Sequence, residues 1–139
     1  MLYFTQNNIE IEYHPETGIL EARWIKILQE EQLCALWDEI LKCVAKHKIK
    51  FLIFDASHLD YIPFLHSDRS HSIFQKELPV TSLEKMAIIL SEKVQNLTKI
   101  ENLFWRYTNL ASLNLKIKLF HHHYEAIHWL VEFKNGNFF

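Results

Sequence analysis

The sequence predicts an α/β fold in the order β-β-α-β-α-β-α-β-α, a mainly parallel sheet opened by an antiparallel N-terminal hairpin. Three observations predict it. Residues 50–57, KFLIFDAS, set four consecutive large apolar side chains between polar ends. An unbroken apolar run this short reads as a strand buried on both faces. Residues 85–91, KMAIILS, repeat the pattern. Segments with apolar residues at helical spacing separate these runs, and such alternation implies parallel strands joined by right-handed crossovers.

Taken in order, Leu2 to Phe4 has the composition of a short strand, too short to decide anything alone. Ile9, Ile11 and Tyr13 then alternate with Glu10, Glu12 and His14, the period of a strand with one wet face. Pro15-Glu16-Thr17-Gly18 is a turn, with proline early and glycine late. The chain returns with Leu20, Ala22 and Trp24 on one face, so residues 8 to 27 read as a hairpin. Glu30 to Lys48 is a helix whose stripe is Leu33, Leu36, Trp37, Ile40, Leu41 and Val44. Acids open it and lysines close it, as the helix dipole favours. After the buried strand, residues 58 to 67 read as a loop and 68 to 78 as a helix ending near Pro79. Thr98-Lys99-Ile100-Glu101 has the capping-box pattern. It would open a helix with Ile100, Leu103, Phe104, Tyr107, Leu110 and Ala111 on one stripe. Leu115 to Phe120 alternates apolar residues with Lys116 and Lys118, the pattern of an edge strand. Tyr124, Ile127, Leu130 and Val131 predict a short final amphipathic helix, and residues 134–139 a loose tail.

Residues 1–139 form one domain, long enough to bury a core unaided. The net charge of −2 offers no general attraction for nucleic acid or anionic lipid. No apolar run approaches the roughly 20 residues that span a bilayer, and MLYFTQNN lacks a signal-peptide core, so a cytoplasmic protein is expected. Cys34 and Cys43 fall on one predicted helix and face different directions, which prevents their pairing.

Among nine histidines, His121, His122 and His123 follow the last strand and His58 follows the central one. Parallel strands would put both sets on one rim, near Asp55, His66 and Glu92. Zinc needs three or four converging ligands, and three consecutive histidines cannot all point inward. A polar turn is therefore the plainer reading, and no metal or cofactor is expected. No serine sits in a nucleophile-elbow pattern, and with only Gly18 and Gly136 there is no glycine-rich phosphate loop. Asp55 at a strand end is explained as a cap on the following turn. The chain does not read as an enzyme. Its unusual feature is the loop from His58 to His66, where Tyr61, Ile62, Phe64 and Leu65 stand in place of polar residues. Such a cluster either covers the core or forms an interaction patch.

LEARW (20–24), FLIFDASHLDYI (51–62), MAIIL (86–90) and LKIKLFHHHYEAIHWL (115–130), in this order of elements, resemble the STAS domain of sporulation anti-sigma-factor antagonists. The resemblance is nearest to the bacterial STAS-like subgroup related to the CRAL-TRIO lipid-binding fold. It implies helices layered over the sheet and a regulatory, protein-interaction or ligand-binding role without catalysis. Regulatory members continue into an Asp-Ser-Ser-Gly-like turn whose serine is phosphorylated. Here those positions read Pro63-Phe64-Leu65-His66, and the nearest hydroxyl is Ser67. The phospho-switch is therefore not carried over.

Two functions are expected from these readings. The first is a protein-interaction or self-associating module whose patch is His58, Tyr61, Ile62, Phe64, Leu65 and His66. The second is a binder or carrier of an apolar small molecule or lipid, in a cavity lined by Phe51, Phe74, Phe104 or Trp37. A metal activity on His58, His121, His122 and His123 is the weakest third.

Overall fold

A six-stranded sheet runs through the middle of the molecule in the spatial order β1-β2-β3-β4-β5-β6, the same as the order along the chain. The computed structural model describes residues 2–6, 8–26, 29–63, 67–110 and 115–132, without the side chains of 2–6 and 107–110. The antiparallel part holds β1 (Leu2–Gln6), β2 (Ile9–His14) and β3 (Ile19–Trp24). It is thus a three-stranded meander, one strand more than the expected hairpin. β4 (Phe51–Ala56), β5 (Lys85–Leu90) and β6 (Lys116–Phe120) continue from β3 in parallel. The α/β class and the mainly parallel sheet expected from the sequence are both present.

Gly18 makes the β2–β3 turn possible. It sits at φ +75° and its N–H donates to His14 O at 2.9 Å. A Cβ there would meet nothing within 4 Å, so only backbone conformation opposes a side chain. Gly18→Ala is expected to lower stability by about 1 kcal/mol. Chemical denaturation checks this, and a shift below about 0.3 kcal/mol would mean that the turn relaxes freely.

The helices follow from the strand order. Because that order never reverses, crossovers of one hand all pass over the same face of the sheet. α1 (Glu30–His47), α2 (Asp68–Ser72) and α3 (Leu97–Leu110) accordingly share one layer. α2 runs straight on as a π turn, Ile73–Glu77, and a 3-10 turn, Leu78–Val80. This layer packs Leu36, Trp37, Ile40, Ile73, Phe74, Leu78, Leu103 and Phe104 onto Leu20, Ala22, Trp24, Leu52, Phe54, Met86 and Ile88. α4 (His123–Val131) follows the last strand, has no further strand to reach, and covers the other face. There Ala126 and Leu130 meet Ile19, Ile53, Ala87 and Ile89. Lys85 Nζ, donating to Trp129 O at 2.8 Å, holds the C-terminal turn of α4 to the sheet.

Three local expectations are corrected. Phe51 is only half-buried, because its side of the strand is covered by α4 alone. The apolar stripe of α4 is Ala126, Ile127 and Leu130, while Tyr124 and Val131 are exposed. α3 begins at Leu97, not after Thr98: Asn96 O accepts the Ile100 N–H at 3.1 Å, and Thr98 is exposed. Asn96 takes the capping position because its side chain is fixed from elsewhere, as described below. Of the stripe read on α3, the side chains of Tyr107 and Leu110, and Ala111 altogether, lie outside the described residues.

Candidate ligand site

Large rings meet between the sheet and the helix layer, at the C-terminal ends of the parallel strands. Trp37 on α1 stacks on Phe54 of β4 with centroids 5.1 Å apart and planes within 8°. Phe74 meets Trp37 edge-on at 5.4 Å and Phe104 at 5.0 Å. Trp24, at the end of β3, tilts against Phe54 at 6.1 Å. These are the offset and edge-to-face arrangements that aromatic quadrupoles favour. Rigid rings in such geometries do not tile space completely. They leave a cavity of about 40 Å³, floored by Phe54, Ala56, Ile88 and Leu90 and roofed by the three helices. A cavity of about 150 Å³ accommodates benzene, so the resting space suits a ligand of a few heavy atoms.

The π turn carries Phe74 into this roof. Leu78 N–H bonds Ile73 O, five residues back, where an α-helix would bond four back. π turns inside helices recur at functional sites. Nothing in the residues IFQKE announces it, since their apolar spacing fits an ordinary helix equally well.

One polar atom is out of place. Trp24 is 1 % exposed and walls the cavity, yet its Nε1–H has no hydrogen-bond partner. It is the buried side-chain polar atom in this position among the described residues. A buried donor left unmatched costs about 1–3 kcal/mol. Sequence reasoning placed Trp24 in the core but could not see its N–H, whose partner depends on loops distant in the chain.

The mouth of the cavity is formed by Ile62 and Pro63, and a second loop holds them there. Asn96 Oδ1 accepts the Ile62 N–H at 3.2 Å and Asn96 Nδ2 donates to Ile62 O at 2.9 Å. Gln95 N–H donates to Asp60 O at 2.7 Å. Asn96 thus serves the loop as a neighbouring strand would. No sequence signal marked it.

The expected interaction patch is only partly assembled. His58 is exposed and Tyr61 is 44 % exposed, but Ile62 is 7 % exposed and belongs to the core. Its backbone is fixed by Asn96, which turns its side chain inward. Phe64, Leu65 and His66 lie outside the described residues. Tyr61 flanks an open groove of about 440 Å³ with Asn96, Thr98 and Lys99. Of the expected cavity residues, Trp37, Phe74 and Phe104 line the cavity, whereas Phe51 faces α4.

The histidines do not converge. His121 Nδ1 lies 3.0 Å from Leu90 O, and His122 lies 3.8 Å from Glu92. His123 reaches back to Glu21 on β3 at 3.0 Å. Among the described residues no group of three or more His, Cys, Asp or Glu is placed to hold a metal. Glu21, 5 % exposed, is a buried carboxylate that needs partners. Besides His123 it has Arg23 at 3.2 Å, and Arg23 also bonds Glu10 at 3.1 Å and Glu12 at 2.9 Å. Burial draws the Arg23 pKa down, but the bonds to Glu12 and Glu10 and the charge of Glu21 outweigh it and raise it. The Arg23 bond in turn holds the Glu12 carboxyl below its usual range. This network pins the N-terminus of α4 to the half of the sheet that α4 does not cover.

Neither cysteine is an activated nucleophile. Burial pushes the Cys43 thiol up to about 11, and burial also raises Cys34 despite the nearby Arg69 charge. No helix among the described residues is long and apolar enough to cross a membrane. Neither a protein-family model nor a curated protein matches the chain.

Proposed function

We propose that the protein is a non-catalytic cytosolic binding module that holds an apolar small molecule between its sheet and its helix layer. The observation that carries this reading is the aromatic-walled cavity with an unmatched indole N–H. Its position also supports the reading, since ligands of parallel sheets gather beyond the C-terminal ends of the strands. A strand order that never reverses has no switch-point crevice. The space under the single helix layer takes its place.

Xenon, one apolar atom, suits the resting cavity. Xenon-129 NMR is expected to report saturable binding at one site in the native protein. Ala56→Val, which extends the floor into the space, should weaken that binding at least tenfold. Its stability should change by less than about 1.5 kcal/mol, because the void accepts the added carbons. An equal xenon response in both proteins sinks the reading. Native mass spectrometry of protein purified without denaturant would report any ligand carried from the cell.

The second reading is the STAS-like interaction module, favoured by the exposure of His58 and Tyr61 beside the 440 Å³ groove. It predicts that Tyr61→Ser weakens self-association or partner capture without altering xenon binding.

A further inference from the structure

We infer that the ligand of this cavity is an uncharged molecule presenting one hydrogen-bond acceptor, a small ketone, aldehyde or ether in its polar part, that receives the Trp24 indole N–H. The inference rests on the cavity being a ligand site, as proposed above, and adds the chemistry of what enters it. Two observations select that chemistry. The described residues lining the space include no Lys, Arg, His, Asp or Glu, so an ion would enter without a counter-charge. A fatty-acid carboxylate or an ammonium head is therefore excluded from the interior. The second is the lone donor. Trp24 Nε1–H is buried, has no partner in the protein, and belongs to a ring that walls the space. An indole N–H can only donate, so what completes it is an acceptor. Ser70, the other polar residue on the wall, has its Oγ engaged by the Ser67 hydroxyl at 3.0 Å. An ordered water is the rival occupant, but a buried water needs two to four polar partners, and this wall is otherwise apolar.

Discrimination follows from the same asymmetry. A site with a buried donor penalises an analogue that lacks the acceptor, because the donor then stays unmatched. Acetone and isobutene test this directly. They match in heavy-atom count and shape and differ in an oxygen against a methylene. Titration of the native protein is followed on the indole N–H resonances, with Trp24 assigned by its loss in Trp24→Phe. Acetone is expected to move the Trp24 indole proton downfield, and isobutene is not. The acetone-to-isobutene affinity ratio is expected to fall at least tenfold in Trp24→Phe. Should that variant fold poorly, the direction of the indole shift in the native protein decides alone. Equal ratios in both proteins with an unmoved indole proton would overturn the acceptor preference and leave the apolar site standing. An indole proton already bonded to a trapped water that acetone does not displace would overturn it too. Failure of both probes to perturb the cavity resonances would overturn the site itself.

Discussion

Trp37→Ala is expected to lower the unfolding free energy by about 3–5 kcal/mol, the range for removing a large aromatic side chain from a core. Trp37 is buried, lies parallel to Phe54 at 5.1 Å and receives the edge of Phe74 at 5.4 Å. Its loss removes apolar burial, two ring contacts, and part of the wall between α1 and β4. The expected defect is a hole with a known shape, continuous with the existing cavity. Indole added to the variant should therefore restore stability, by about 1.4 kcal/mol at ten times its dissociation constant, and should do little for the native protein. Equilibrium urea unfolding with and without indole measures both quantities. A loss below about 1.5 kcal/mol with no response to indole would show that α1 repacks, and that the ring cluster is not rigid enough to hold a site.

The parts of the fold that were legible are those in which a residue's neighbours in sequence decide its burial. KFLIFDAS declares an interior strand because neither face admits a polar residue between Phe51 and Phe54. β4 indeed pairs in parallel on both sides. Lys116 and Lys118 declare an edge because an edge has room for them, and both are exposed. Phe51 shows the limit: its strand is central, but how well a face is covered depends on α4, more than 70 residues away. Ile62 shows a second limit. A loop has no period, so whether it turns a side chain inward is decided by what binds its backbone, and Asn96 lies 34 residues further on. For the histidines, the common rim was legible from the parallel order, whereas the side-chain directions were not. His123 pairs with Glu21 across 102 residues. The ring residues Trp37, Phe74 and Phe104 were recognisable as lining candidates because their helical stripes point at one sheet face. The unmatched N–H of Trp24 was not, since a missing partner is a property of the assembled core.

Asn96→Ala is expected to cost about 2–4 kcal/mol although it removes few atoms. The reason is bookkeeping of hydrogen bonds. Asn96 is buried and satisfies both the N–H and the C=O of Ile62. Alanine would leave two buried backbone groups unmatched, each costing about 1–3 kcal/mol unless water reaches it. Thr98→Ala, two residues on, should change stability by less than about 0.5 kcal/mol, because Thr98 is exposed and α3 already begins at Leu97. The contrast separates a loop clasp from an ordinary helix cap, whose loss costs about 1 kcal/mol. Hydrogen exchange gives a local readout. The Ile62 amide should lose its protection in Asn96→Ala, while amides of β4 and β5 keep theirs relative to global unfolding. An Ile62 amide that stays protected, with a loss below about 1 kcal/mol, would mean that the loop is held by its own packing. The consequence for binding follows from position. Ile62 and Pro63 form the mouth of the cavity, so freeing their loop should speed exchange of xenon with the interior more than it changes affinity, because the aromatic walls remain in place.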